Sequence, residues 1–294
     1  MREFKDRVAV VTGAASGIGR ALAERFVAEG MRLVIADIEP GRLAEVAEAL
    51  RAGGAEVLAE PTDVGDAQAV ERLAAAAYAR FGAVHLLCNN AGVVPAGRAR
   101  PIWEYPVEDW RWTLDVNLMG VAHGIRSFIP RMLAGGEPGH VVNTASVAGL
   151  ISGAATPVYS VAKHGVVRAT EALYASLREI GAPIGVTVLC PGVVRTRIFE
   201  SERNRPAGLV PAGGIAPESP DVVAVNAAAR PRGLAPETVT DMVMEAVTED
   251  RLYLLTTDAY DVAIRVRAEA VLARRNPDFP DLLELVQREE EGRG

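Results

Sequence analysis

Residues 8–21 read VAVVTGAASGIGRA, a strand, a glycine turn and the start of a helix in one short stretch. The β-branched run VAVV at 8–11 suits a buried strand. The glycines that follow, Gly13, Gly17 and Gly19, obey T-G-x-x-x-G-x-G and not the more familiar G-x-G-x-x-G. The physical consequence is the same. The turn carries no side chains where a pyrophosphate must approach, and the free N–H groups opening the next helix favour an anion. A glycine turn placed after a first strand and before a helix is the context that dinucleotide binding requires. The stretch is therefore read as a coenzyme cradle, which commits the chain to an α/β fold.

The next strand candidate ends in Asp37, within LVIAD, 24 residues after Gly13. A carboxylate there accepts hydrogen bonds from the adenosine ribose hydroxyls and repels a 2′-phosphate. No lysine or arginine lies within the glycine turn or directly after Asp37 to receive that phosphate. NAD is expected in preference to NADP.

The rest of the chain repeats the alternation. Short apolar runs at 8–11, 32–36, 56–60, 84–88, 140–144, 185–190 and 251–255 alternate with helical patterns near 18–29, 41–52, 66–80, 107–133, 158–180 and 237–249. Near-continuous apolar strands separated by helices indicate a parallel sheet covered on both faces. The expectation is one doubly wound domain over residues 1–294, its sheet mainly parallel and seven-stranded. Residues 197–236, with six prolines, break the rhythm and are read as a substrate lid holding a short helix near 221–230. The tail from about 276 to 294 is expected to fray.

Of the 294 residues, 49% are hydrophobic, which suits a globular chain. A formal charge of −7 argues against nucleic-acid or anionic-membrane surfaces. No apolar run approaches the ~20 residues of a membrane span, and the N-terminus does not resemble a signal peptide. Cys88 and Cys190 each close a strand candidate and are read as buried thiols of a cytoplasmic protein. His85, His123, His140 and His164 show no metal-like pairing, so no metal site is expected.

Taken together with TDV at 62–64, NNAG at 89–92, DVN at 115–117, Ser146 in NTASVAG, YSVAK at 159–163 and PGVVRT at 191–196, the cradle resembles that of the short-chain dehydrogenase/reductase family, compact single-domain type. The resemblance runs from about residue 5 to 200 and implies a Rossmann-type sheet. It implies that Asn117, Ser146, Tyr159 and Lys163 form the catalytic group. It also implies coenzyme contacts from Ser16 and Ile18 in the glycine turn, from Asp63 and Val64 beside the adenine, and from Asn90, Ala91 and Gly92 along the ribose and nicotinamide. Pro191, Gly192, Val194 and Thr196 complete the set, with Thr196 on the carboxamide and Lys163 on the nicotinamide ribose. His85 stands where many relatives carry an aspartate and is read as structural variation.

These residue types suit alcohol oxidation and its reverse. A free tyrosine, with pKa about 10, is a poor base at neutral pH. Lys163, one helical turn from Tyr159, is expected to favour the phenolate. Ser146 is expected to donate to the substrate oxygen, and the resemblance implies that Asn117 joins a water-linked relay to Lys163. Ala162, Gly165, Val166, Ala169, Leu173 and Leu177 form the predicted apolar stripe of this helix, with Lys163 bordering it. The chain also holds YASLR at 174–178, a pair of the same spacing with no serine companion, read as packing or subunit contact.

The expected pocket walls, 93–98, 147–156 and the lid, carry few fixed charges, which points to an apolar secondary alcohol or ketone of terpenoid, cyclic or steroid-like type. Arg98, Arg100 and Arg203 are read as solvated surface and not as an anion site. The second reading is an NADP-linked 3-oxoacyl-(acyl-carrier-protein) reductase; the third is a non-catalytic dinucleotide-sensing scaffold. By the resemblance, the helices at 107–133 and 158–180 make a homodimer or homotetramer.

Overall fold

The computed structural model describes residues 1–96, 100–151, 156–215 and 233–279. Seven strands form one sheet in the order β3-β2-β1-β4-β5-β6-β7, every neighbour parallel. They are β1 (Val8–Thr12), β2 (Arg32–Asp37), β3 (Val57–Pro61), β4 (Leu86–Asn89), β5 (Gly139–Thr144), β6 (Ile184–Cys190) and β7 (Tyr253–Leu255). Parallel neighbours need crossovers, and helices supply them on both faces. This is the doubly wound, Rossmann-type architecture that the alternation predicts.

Helices α1 (Gly17–Ala28), α2 (Pro40–Ala52) and α7 (Pro236–Glu249) cover one face. There Leu22 and Phe26 of α1 and Val239, Val243 and Val247 of α7 join Val11, Leu33 and Ile35 of the strands in one core. Helices α3 (Ala67–Phe81), α5 (Gly120–Gly135) and α6 (Pro157–Glu179) cover the other, through Leu73, Phe128, Leu173 and Leu177. Each such side chain, fully buried, stabilises by roughly 1.5–3 kcal/mol.

The pattern at 107–133 forms two helices and not one. Helix α4 (Val107–Leu114) passes through a π-helical turn, Asp115–Met119, into α5. A π-turn adds a residue to the helical repeat and re-aims what it carries; here it carries Asn117. The predicted stripe of α6 is rotated as well. Ala162, Val166, Leu173 and Leu177 are buried, together with Lys163, Val167 and Thr170, while Gly165 and Ala169 are half-buried. Thr170 enters the apolar face because its hydroxyl donates to Val166 O at 2.7 Å and accepts from Asn143 Nδ2 at 3.1 Å. Gly165 serves the neighbouring helix, since a Cβ there would lie 2.9 Å from Leu118.

A helix absent from the sequence reading, α8 (Asp261–Ala273), follows β7. It buries only Ala263 and Ala270, and its valines and leucine are spread around it, so it shows little helical periodicity. The first part of the proposed lid forms two 3₁₀ turns, Ile198–Asn204 and Ala207–Leu209, and the chain returns at Leu234, which pairs with Val194. The helix expected at 221–230 and the end of the tail, 280–294, lie outside the described residues, as does Arg98.

Candidate active site

The site collects at the carboxyl edge of the sheet, where ligands of open α/β sheets bind. Thr12, Asp37, Asn89, Thr144 and Cys190 each end a strand there. The Thr12 hydroxyl accepts from Asn90 N at 2.9 Å and Ala91 N at 3.2 Å, and Asn90 Nδ2 donates to Thr12 O at 3.0 Å. These bonds tie the 90–92 loop to the glycine turn so closely that Gly13, at φ +68°, has no room for a side chain. A Cβ there would meet Ala91 Cα at 2.8 Å, and one on Gly19 would meet Gly13 O at 2.1 Å. Gly17 lies against Thr196, bringing the 191–196 segment over the turn.

A cavity of about 470 Å³ opens beside that turn, lined by Ala15, Ser16, Gly17, Thr196, Arg20, Arg42, Arg195 and Arg197. Ser16 precedes α1 without a side-chain hydrogen bond capping it, so the first N–H groups of α1 have no such cap. Uncapped helix donors beside a cationic cavity fit a pyrophosphate. Asp37 is buried; its Oδ2 accepts from Ala15 N at 2.9 Å and its Oδ1 from Glu39 N at 3.0 Å. Burial pushes its carboxyl above the usual range, and the two backbone donors oppose that. Arg20 and Arg42 lie close in sequence to the turn and to Asp37, whereas Arg195 and Arg197 reach the cavity from beyond β6. Three of them meet carboxylates: Arg20 with Glu24, Arg42 with Glu39 and Arg197 with Glu200.

Of the other expected coenzyme contacts, Asp63 Oδ1 accepts from Gly65 N at 2.9 Å, and Val64 is buried with its carbonyl bonded to His123 Nδ1. Gly92 faces inward: a Cβ there would lie 3.2 Å from Asn117 Oδ1 and 3.4 Å from Lys163 Nζ. Pro191 O accepts from Val147 N at 3.0 Å, and Gly192 N donates to Thr256 Oγ1 at 3.1 Å. Ile18 packs against the core beneath the turn. A glycine turn whose helix start lacks a side-chain cap, an open cavity beside it and a carboxylate at the second strand end fit a nicotinamide dinucleotide.

Asn117, Ser146, Tyr159 and Lys163 come from the π-turn, the end of β5 and α6, and the fold brings them to one place. Lys163 is only 3% exposed. Its Nζ donates to Thr144 O at 2.9 Å and lies 5.6 Å from the Tyr159 ring centroid. Ser146 hydrogen-bonds to Tyr159, and its Oγ accepts from Ala148 N at 3.1 Å. Asn117 has no exposure; Oδ1 accepts from Val93 N at 2.7 Å and Nδ2 donates to Val93 O at 2.8 Å.

The electrostatics differ from the sequence expectation. Burial pushes Tyr159 up to about 12, opposed by the Ser146 hydrogen bond, and pushes Lys163 down to about 8. Desolvation is the largest cause for both groups, and it disfavours the charged form of each. Cys190 is a free buried thiol, and burial pushes it up to about 12.

His85 is structural in its contacts. Its Nδ1 accepts from Val8 N at 3.0 Å and its Nε2 meets Glu137 at 3.2 Å, far from the carboxyl edge. The residues missed in sequence are Thr12 and Thr144, which act through common hydroxyl and carbonyl groups, and α8. Tyr260 and Ala263 pack on Val147 and Ile151, which follow Ser146. Arg203, read as solvated surface, pairs with Glu39 at 2.8 Å. Arg100 lies over the Tyr105 ring, 5.1 Å from its centroid. Among the described residues, no helix is long and apolar enough to cross a membrane.

Comparison with known proteins agrees with this geometry. The family model described as short chain dehydrogenase matches residues 7–207. A CLA biosynthesis dehydrogenase/reductase of Lactiplantibacillus plantarum is 33% identical over 281 residues, covering 95% of this chain and 97% of that protein. A 1-deoxy-11-beta-hydroxypentalenate dehydrogenase of Streptomyces exfoliatus is 38% identical over 265 residues, covering 90% of this chain and 87% of that protein. Among solved structures, a short chain dehydrogenase/reductase from Burkholderia phymatum in complex with NAD is 44% identical with a TM-score of 0.88, covering 96% of this chain and 99% of that one.

Proposed function

The chain belongs to the short-chain dehydrogenase/reductase family and is an alcohol/ketone oxidoreductase; on that premise we propose that it uses NAD(H) to interconvert an apolar secondary alcohol and its ketone, with Tyr159 exchanging the proton. The observation that carries the chemistry is the buried lysine. A cation 3% exposed and 5.6 Å from a tyrosine ring is costly to keep, and its position beneath Tyr159 supplies the reason.

The proposed roles follow from position. Ser146, bonded to Tyr159, orients the phenol and donates to the substrate oxygen as charge develops there. In the carbonyl-reducing direction, a tyrosine near 12 is protonated and gives its proton to that oxygen. In the oxidising direction it must first lose that proton, a step that Lys163 favours as a cation. Asn117 fixes the Val93 backbone and continues the proton path. A nicotinamide coenzyme held in the cradle would supply or take up the hydride, and its oxidised ring would add positive charge favouring the Tyr159 phenolate.

Asp37 supports NAD: a buried carboxylate at the second strand end opposes a 2′-phosphate. Glu39 engages the nearby Arg42 and Arg203, which lessens their availability to such a phosphate. The relatives named for a hydroxypentalenate substrate and for an NAD complex accord with this reading. The segments proposed as pocket walls carry the apolar residues Val93, Val147 and Ile151, which suits a cyclic or terpenoid substrate. Assembly as a homodimer or homotetramer through α4–α5 and α6 belongs to the same proposal.

The test is reduction of NAD and NADP monitored across cyclohexanol, 1-phenylethanol, borneol and a 3-hydroxysteroid, with charged and polyhydroxylated alcohols as controls. Turnover of the apolar set with NAD is expected. Tighter binding of NADPH than NADH would overturn the coenzyme assignment, and turnover confined to the charged set would overturn the substrate class.

A further inference from the structure

A second group of polar contacts surrounds the proposed catalytic residues without belonging to them. Arg205 follows the 3₁₀ turn Ile198–Asn204, and its side chain is 2% exposed. A guanidinium at that depth requires close partners. Its Nη2 donates to Asp109 Oδ1 at 2.8 Å and to Glu202 Oε1 at 2.9 Å, its Nε to Glu202 Oε2 at 2.6 Å, and its Nη1 to Leu209 O at 3.0 Å. Its charged carbon stands 4.2 Å from the centroid of Trp112. Asp109 and Trp112 both lie on α4 and are 3% and 1% exposed. The planar fork of arginine meets all of these partners at once, which a lysine cannot do.

Glu202 also faces the other way. Its Oε1 accepts from Ala96 N at 2.7 Å, and the neighbouring Ser201 Oγ accepts from Val94 N at 3.2 Å. Val93, at the start of the same loop, gives both its backbone groups to Asn117. Asn117 sits on the π-turn that continues α4. The contacts therefore close a ring: α4, Arg205, Glu202, residues 93–96, Asn117, and α4 again.

We propose that Arg205 is a positioning residue, which through Glu202 clamps the backbone of residues 93–96 and so holds Asn117 and the substrate-side loop in place against Lys163. This rests on the role proposed for Asn117 above. Each bond that the 201–202 pair makes to this loop ends on a backbone N–H, so it sets where the loop lies whatever its side chains are. Misplacing a group near reacting atoms by about 1 Å costs on the order of 10²-fold in rate. A surface requirement would not explain an arginine sealed between a tryptophan and two carboxylates.

The experiment compares Glu202→Ala, Glu202→Gln and Arg205→Met with the wild type by hydrogen exchange, NADH fluorescence titration and oxidation of the alcohol most active in the panel above. Glu202→Ala leaves the Arg205–Asp109 pair intact and so guards against a variant that fails to fold. Peptides covering 90–96 are expected to exchange at least tenfold faster in Glu202→Ala and Arg205→Met, while β5 and β6 peptides stay unchanged and NADH affinity stays within twofold. Turnover should fall at least tenfold in Glu202→Ala and recover substantially in Glu202→Gln, whose amide oxygen still accepts from Ala96. Unchanged exchange at 90–96, loosening spread equally to β5 and β6, or wild-type turnover in Glu202→Ala would each overturn the proposal. Full activity in a Tyr159→Phe variant would instead overturn the catalytic reading and leave the exchange result standing.

Discussion

Helix α6 carries two tyrosine–cation pairs of identical spacing, and their local geometries nearly coincide. Lys163 Nζ lies 5.6 Å from the Tyr159 ring centroid, and the Arg178 guanidinium carbon lies 5.8 Å from that of Tyr174. Spacing and cation–ring distance therefore do not distinguish them. Burial does: Lys163 is 3% exposed and bonded to Thr144 O, whereas Arg178 is exposed. Tyr159 has Ser146 beside it, while Tyr174 packs partly buried against the core under α6. The first pair sits where the strands end and low dielectric shifts both of its groups; the second is a contact with an exposed cation about four turns further along.

The largest effect that would break this comparison is chemical. Tyr159→Phe should lower turnover by about 10²–10⁴-fold, the usual worth of a general acid–base group, with NADH binding unchanged by fluorescence titration. Wild-type turnover in that variant would reduce Tyr159 to the status of Tyr174.

Lys163→Met should separate function from stability. Turnover is expected to fall at least 10²-fold. Removing an ammonium that burial holds near 8 instead of 10.5 relieves a cost of about 3 kcal/mol, from which the lost bond to Thr144 O must be subtracted. Calorimetry at pH 7 should then show a net rise in Tm, at roughly 2–4 °C per kcal/mol.

The pH dependence sharpens the same point. Because Tyr159 is raised to about 12, the oxidation rate should climb with pH above 7 as the phenolate fraction grows. Lys163 is depressed, so between about 8 and 10.5 the unfolded chain binds more protons than the folded one, and this group makes stability rise with pH across that window. Its burial cost is fully present below about 8. Denaturant titrations at pH 8 and pH 10 should show this increment in the wild type and its absence in Lys163→Met.

Arg178→Ala should do least: stability within about 0.5–1 kcal/mol, as for an exposed cation–π contact, with kcat and KM unchanged. A loss of turnover comparable to that of Lys163→Met would show that the two pairs are not separated by burial after all.

Much of the molecule was legible because its signals are local. The run VAVV, the glycine spacing and the alternation of apolar runs with helical patterns depend on residues adjacent in sequence, and the parallel seven-stranded sheet follows from them. Helix α8 escaped because it buries one narrow seam, Ala263 and Ala270, and so shows little periodicity. The Asn117 turn escaped because a π-turn is a packing outcome and not a composition. The arginines over the coenzyme cavity escaped because Arg195 and Arg197 arrive from the far side of the fold.

The sequence by itself determined the order of the strands along the chain, the glycine turn proposed as a dinucleotide cradle and the residue types available for proton exchange, all through patterns within a few residues of one another. Tertiary structure alone decided which of the two cations is sealed from water, that desolvation is the largest influence on both Tyr159 and Lys163, and that Arg205 closes a ring through Glu202 to Asn117. Those outcomes depend on dielectric and on contacts between distant segments. Only the folded chain sets either.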